Sequence, residues 1–328
     1  MSFSTRFSAL ALCCAIAGSA WIPAATAAGA DYPSKAVRWV VPFTPGASND
    51  IIARLIAAKL GDAWGQQFII DNRPGAGGLV GADTVAKAAP DGYTLLLSNP
   101  GPNVNAPLLT KRSPYKVDDF APIIFIGYAP LLILANPAFP PKNPKELLDY
   151  LKANPGKVNW GSSGNGSSLH IGLALFQAAT GVNVTHVPYK GSAPAITDVM
   201  AGQIQLMHTT TVSAEAQIKS GRVRVIGVAS PKRIALLPDV PTLAESGIKD
   251  AEAIVWFGMS APAKTPRPII DKLNLEANRI LGLPDVKKRL DELGLEIQGG
   301  TPEQFSAFIK KETERLNKLI KMGALTPE

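Results

Sequence analysis

Two short stretches hold residue types suited to binding an anion. Val41-Pro-Phe-Thr-Pro-Gly-Ala-Ser-Asn-Asp50 joins the apolar run VRWVV to the helix-period run IIARLIAAKL, and Trp160-Gly-Ser-Ser-Gly-Asn-Gly-Ser-Ser-Leu-His170 joins KVNW to IGLALFQAAT. Each reads as a strand-to-helix turn made of small and hydroxylated residues. The first N–H groups of a helix lack backbone acceptors and lie at the positive end of its dipole, so such a turn offers bare donors to a negative group. Glycine permits close approach to the backbone, and serine hydroxyls add donors. Phe43, Thr44, Gly46, Ala47 and Ser48 in the first turn and Ser162, Ser163, Gly164, Ser167 and Ser168 in the second are therefore candidate binding residues. Against this stands helix capping, which uses the same residue types everywhere. Two such turns in separate α/β units favour a clamp that holds one carboxylate between them.

Other candidates lie at strand ends, where parallel sheets aim their ligand loops. Ser98 and Asn99 end YTLLLS, and Thr209 and Thr210 follow IQLMH. His208, at that same strand end, is expected to face the cleft; His170 is a further candidate that either caps or packs near a helix start or lines the cleft, and His186 is structural. Asp50, in the first helical turn, suits the dipole and is expected to brace its loop; the alternative is an ammonium group on the ligand.

Several chemistries are excluded by spacing. Neither turn has the Lys-Ser or Lys-Thr of a phosphate loop, and Pro74-Gly-Ala-Gly-Gly78 lacks the later glycine of a dinucleotide fingerprint, which leaves it a tight turn behind the first loop. Gly161-Ser-Ser-Gly-Asn165 fails the nucleophile-elbow pattern at its last position. The three histidines share no metal-ligand spacing, so no metal and no cofactor are expected. An exported serine hydrolase using GSSGNGSS stays as an alternative that requires a base beside a serine.

The elements that must position these residues alternate from end to end, the pattern of an α/β fold with mostly parallel strands. Strands are expected at 37–41, 67–71, 93–98, 133–136, 157–161, 185–189, 204–208, 223–229, 254–262 and 295–298. Helices are expected at 49–60, 79–88, 144–153, 168–179, 193–201, 214–219, 267–281, 284–293 and 302–322. NPGPNVNAPLLTKRSPYK has no periodicity and should line a surface or cleft. In the last helix Phe305, Phe308, Ile309, Leu316 and Ile320 mark an apolar face that should dock on the first α/β unit. Domain one is thus expected to comprise 28–131 plus 257–328 and domain two 132–256, with two hinge crossings and a ligand cleft between the lobes.

With 46% hydrophobic and 18% charged residues, the 328-residue chain has the composition of a globular protein of one large or two medium domains. Arg6, the apolar run from Ala9 to Ala20 and Ala25-Thr-Ala27 read as a secretory signal peptide over residues 1–27, cleaved near Ala27. Both cysteines, Cys13 and Cys14, fall within it, so an exported chain would carry no thiol chemistry. The formal charge of +7 is dispersed rather than gathered on one face with aromatics, which argues against nucleic acid as a partner.

The blocks VPFTPGASND, FIIDNRPGAGGLVGADTVAKAAPDGYTLL, YKVDDFAPI, WGSSGNGSSLH, HVPYKGSAPAITDVMAGQI, LLPDVPTLAESG and WFGMSAPAKTP, in this order, resemble the periplasmic solute-binding receptors of tripartite tricarboxylate transporters, the family of the tricarboxylate-binding and Bordetella uptake receptors. The resemblance implies a type-2 periplasmic-binding-protein fold that closes on a small organic carboxylate without catalysis. It also implies that the turns Phe43 to Asp50 and Ser162 to His170 pinch the carboxylate, and that the partners are the transporter's membrane subunits. The receptor is expected to be a periplasmic monomer; a ligand-presenting receptor for a membrane sensor kinase is the alternative. Where the family loop reads Pro-Gly-Gly, this chain has Pro45-Gly46-Ala47. Ala174 and His208-Thr-Thr-Thr211 stand where family members often carry acidic residues. Those departures favour a fully anionic ligand over an amino acid.

Overall fold

The alternating runs fold into two sheets. The computed structural model describes residues 31–323, 325 and 327; the expected signal segment, with its cleavage site and both cysteines, lies outside the described residues. The first sheet contains β1 (Val37–Val41), β2 (Phe68–Asn72), β3 (Thr94–Ser98), β4 (Phe120–Pro130), β10 (Ile254–Pro262) and β11 (Glu296–Ile297), in spatial order β11-β4-β10-β3-β1-β2. The second contains β5 (Leu132–Ala135), β6 (Asn159–Ser162), β7 (Thr185–Pro188), β8 (Leu206–Thr209) and β9 (Arg224–Val228), in order β7-β6-β8-β5-β9.

Both sheets are mixed, more so than the repeated strand–helix pattern predicts. β1 pairs in parallel with β2 and β3, and β6 with β7 and β8, whereas β10 and β5 run antiparallel to their neighbours. The reason is topological. A strand that starts at the junction between lobes must run away from it, while the other inner strands run toward it and place their C-terminal ends at the cleft.

The junction itself is compact. Leu131 donates from its N–H to the Ala253 carbonyl, Ala229 donates to Leu131, and Ala253 donates to Ala229. β10 pairs with β4 from Ile254 onward, so the chain has returned to the first sheet by that residue.

Helices α1 (Ser48–Trp64), α2 (Leu79–Ala86), α8 (Arg267–Leu281), α9 (Pro284–Glu292) and α10 (Pro302–Lys321) accompany the first sheet; α4 (Pro144–Ala153), α5 (Ser168–Thr180), α6 (Ser192–Met200) and α7 (Thr211–Lys219) accompany the second. Local chemistry sets their ends. α10 begins with a capping box, in which Thr301 Oγ1 accepts from Gln304 N–H and Gln304 Oε1 accepts from Thr301 N–H, with Pro302 at its first position. Its apolar stripe packs as Phe305 stacked on Phe125 and edge-on to Trp256, and Gly258 leaves the room that Phe305 fills. The second lobe has its own centre in Trp160 and Phe176, which meet at 5.1 Å.

Two segments depart from expectation. Within NPGPNVNAPLLTKRSPYK, residues Gly101–Asn105 form a π-helical turn that runs into α3 (Ala106–Leu109), and Pro102 to Ala106 are buried. β4, an eleven-residue strand flanked on its outer side only by the short β11, carries no expected strand at all because Pro122, Gly127 and Pro130 disguise it.

Candidate functional site

Four helix N-termini converge where the sheets' strand ends face one another. Ala47 and Ser48 bring α1, Ser168 brings α5, Ser192 brings α6, and Thr210 and Ser213 bring α7 to the wall of a single cavity. Phe43, Asn49, Asn99, Ser163, Leu169, Thr209 and Val255 complete it. The wall contains no Asp, Glu, Lys, Arg or His. Any positive potential in it therefore comes from backbone N–H groups and helix dipoles, and its hydrogen-bonding capacity from hydroxyls and amides. The cavity measures ≈ 10 Å³, about what one water requires, so admitting an organic molecule demands that the lobes part.

The first turn is held from below. Asp50 accepts from Gly46 N–H, Arg54 Nε and Asn72 Nδ2, and Asn72 Nδ2 also donates to the Phe43 carbonyl. Burial pushes the Asp50 carboxyl up, but the bonds from Arg54, Gly46 and Asn72 outweigh it and hold it below the usual range. The carboxylate is thus spent on bracing the loop. Gly46 sits at φ 79°, a left-handed conformation that disfavours other residues.

The second turn is folded on itself. Gly164 N–H donates to Ser162 Oγ, Gly166 N–H donates to His170 Nδ1, and Ser167 Oγ caps α5 by accepting from His170 N–H. His170 stacks on His186 with ring centroids 4.1 Å apart, on the flank of the cleft rather than in the cavity wall. Burial, with a smaller contribution from His170, lowers the His186 pKa to about 4.

Ser162 Oγ lies 2.6 Å from His186 Nε2, which is the serine–base pair a hydrolase would need. However, Ser162 is fully buried, its hydroxyl is also engaged by Gly164, and so weakly basic an imidazole is a poor proton acceptor. Among the described residues no carboxylate bonds this histidine, and none form a cluster of three metal-ligating side chains.

Of the remaining candidates, Thr209 and Thr210 stand in the wall with buried hydroxyls that have no partner in the chain. The Thr44 hydroxyl is also without a partner and presses on Gly191 of the opposite lobe. Ser98 is buried and bonds Ser260 Oγ at 2.7 Å, a contact between β3 and β10 away from the wall. His208 does not face the cavity. Successive residues in a strand point to opposite faces, so Thr209 reaches the wall while His208 turns under α5, against Trp160 and Gly172. Burial lowers its pKa to about 3.

Five wall residues are not among the individual candidates named from sequence: Asn49 and Leu169, which lie within the two expected turns, and Ser192, Ser213 and Val255, which do not. Ser192 follows a strand and Gly191 and opens a helix, the signal that marked the first two turns. Ser213 is less legible because α7 starts at Thr211, three residues before the expected 214. Both matter to closure. Ser48 N–H of one lobe donates to Ser213 Oγ of the other at 2.9 Å, and Ser192 Oγ is 3.1 Å from the same hydroxyl.

The lobes touch along the rims as well. A Cβ at Gly77 would fall 2.1 Å from the Asn165 carbonyl oxygen, and Asn105 Nδ2 donates to the Gly166 carbonyl. The Gly75–Gly78 turn thus sits against both loops. On the far side Thr211 Oγ1 donates to the Leu293 carbonyl, and Arg289 on α9 forms a two-pronged ion pair with Glu215 on α7.

Comparison with known proteins gives a consistent result. Residues 52–325 match the family model described as tripartite tricarboxylate transporter family receptor. The protein of the tcbD-tcbE intergenic region of Pseudomonas sp. (strain P51) is 41% identical over 293 residues, covering 88% of this chain and 86% of the relative. Among solved structures, the periplasmic binding protein BugD superposes with a TM-score of 0.87 at 37% identity, covering 90% of this chain and all of BugD. An R. palustris protein solved with adipate gives 0.87 at 35%, covering 91% and 100% of the two chains, and MatC from Rhodopseudomonas palustris with bound malate gives 0.84 at 34%, covering 88% and 100%.

Proposed function

Because the chain belongs to the tripartite tricarboxylate transporter receptor family, whose members are periplasmic solute-binding proteins, we propose that it is an exported receptor that captures a small organic carboxylate and delivers it to a membrane transporter of the tripartite type. The observation that carries the carboxylate is the convergence of four helix N-termini on a wall free of charged side chains. Such a wall stabilises a negative group by backbone donors and offers a cationic group nothing to pair with. The adipate and malate bound to structural relatives support the same ligand class.

In this reading Ala47, Ser48, Ser163, Ser168, Thr209 and Thr210 touch the ligand, with Phe43 packing beside it. Thr44, Gly46, Asp50, Ser162, Gly164, Ser167 and His170 shape the two turns. The lobes pivot at Leu131 and Ala253, and the protein acts as a monomer. Among the described residues no helix is long and apolar enough to cross a membrane.

Thermal-shift screening of a panel of aliphatic and aromatic carboxylates, followed by calorimetry on the best ligands, tests the assignment. Stabilisation by one or more acids, rising with concentration as mass action requires, is the expected outcome. Indifference to every acid, with tight binding of a neutral sugar, would overturn it. A fluorophosphonate probe should leave Ser162 unlabelled; labelling there would revive the hydrolase alternative.

A further inference from the structure

The strand-end amides of the first lobe form a chain of fixed polarity. Asn99 N–H donates to Asn103 Oδ1, which pins the backbone, and Gly101 N–H donates to Asn99 Oδ1 at 2.9 Å. With its oxygen so occupied, the Asn99 side chain must present its NH₂ on the other side, where it donates to Asn49 Oδ1 at 2.6 Å. An amide has one oxygen and one nitrogen end. Anchoring the Asn49 oxygen therefore leaves its Nδ2 as the free end, without an acceptor in the chain, although the residue is only 5% exposed and lines the cavity. That NH₂ is a donor open to the cavity, and a ligand that supplies an acceptor there gains a hydrogen bond of fixed direction.

We propose that Asn49 is a specificity-determining residue that selects acids carrying a second acceptor oxygen besides the bound carboxylate: a dicarboxylate, or a 2-hydroxy or 2-oxo acid. This rests on the carboxylate-receptor reading above and adds a donor of fixed direction to it. The hydroxyls of the opposite lobe can rotate to donate or accept, so they discriminate little between such groups. Asn49 cannot reverse without breaking the bond to Asn99. It therefore rejects a methyl or a donor group where it demands an oxygen, in the way that sites built around a hydrogen bond reject analogues lacking it.

The test uses matched pairs that differ in the second acceptor: succinate and butyrate, adipate and hexanoate, terephthalate and 4-methylbenzoate. Calorimetry on the full mature protein should show, for the pair that binds best, a preference of at least about tenfold for the diacid. In Asn49→Leu that ratio should fall to about threefold or less. Asn49→Asp keeps an oxygen for Asn99 and turns the free end into an acceptor, so it should prefer succinamate to succinate, reversing the wild-type order. Thermal unfolding without added acid establishes that each variant is folded. A wild-type preference for monoacids, an unchanged ratio in Asn49→Leu, or an unreversed order in Asn49→Asp overturns the inference while leaving the receptor reading intact. Failure of every acid to bind the wild-type protein removes both.

Discussion

His208 precedes Thr209 in β8, and the alternation of a strand sends one into the core and the other to the cavity wall. Burial alone holds the His208 pKa at about 3, against an ordinary 6.5. Between those values the unfolded chain binds a proton that the folded chain does not, so stability rises with pH across the window. The contribution is complete above about pH 6.5 and is lost on acidification at about 1.4 kcal/mol per pH unit. On acidification from about pH 6.5 to about pH 5, urea unfolding should show His208→Gln losing stability less steeply than the wild-type protein by about 1.4 kcal/mol per pH unit, the slope that remains coming from His186, whose pKa burial also lowers. Equal slopes would mean that the ring is protonated in the fold. The same reasoning explains why residue types alone mislead here. A histidine at a strand end is as compatible with the cavity as with the core, and only the register of β8 against β5 and β6 decides between them.

Elements were legible in the sequence wherever pattern and end signals agreed. α4 and α8 begin and end where their periodicity predicts, and α10 does so to within a residue, with Pro302 and the Thr301–Gln304 box marking its start. The docking of α10 makes a quantitative claim. Phe305 is fully buried between Phe125 and Trp256, so Phe305→Ala should cost about 3–5 kcal/mol, read as a drop in the unfolding midpoint. A change below about 1 kcal/mol would show that α10 is not part of the cooperative core. β4 was illegible because its prolines read as breakers. Pro122 is tolerated since β11 covers β4 only at Gly127 and Tyr128, leaving the other edge of the strand near Pro122 without a ladder to break. The π-turn at Gly101–Asn105 was hidden likewise, by a glycine and a proline at its start.

At the scale of the whole molecule the cavity's size makes lobe motion part of binding, and contacts between the lobes remote from the wall should then tune affinity. The Arg289–Glu215 pair joins α9 to α7, one turn from Thr210 and Ser213. It is partly exposed and worth about 0.2–1 kcal/mol, so Arg289→Ala should weaken acid binding by roughly 1.4- to fivefold while leaving the ranking of acids unaltered. An unchanged affinity would mean that the pair persists in the open form. The α/β class, the position of the two glycine- and serine-rich turns and, through seven ordered blocks, the family could all be read from the order of residues. These are properties of local runs: strand and helix periodicity, and turn chemistry that a few neighbouring residues impose. It took the folded chain to show that β5 and β10 run against their neighbours, that α6 and α7 add their N-termini to the same wall, and that the Asn49 oxygen is held by Asn99. Each of those depends on partners 50 to 165 residues apart, such as Asn49 with Asn99 and Ser48 with Ser213, and no local pattern encodes which distant backbone end or amide will meet which.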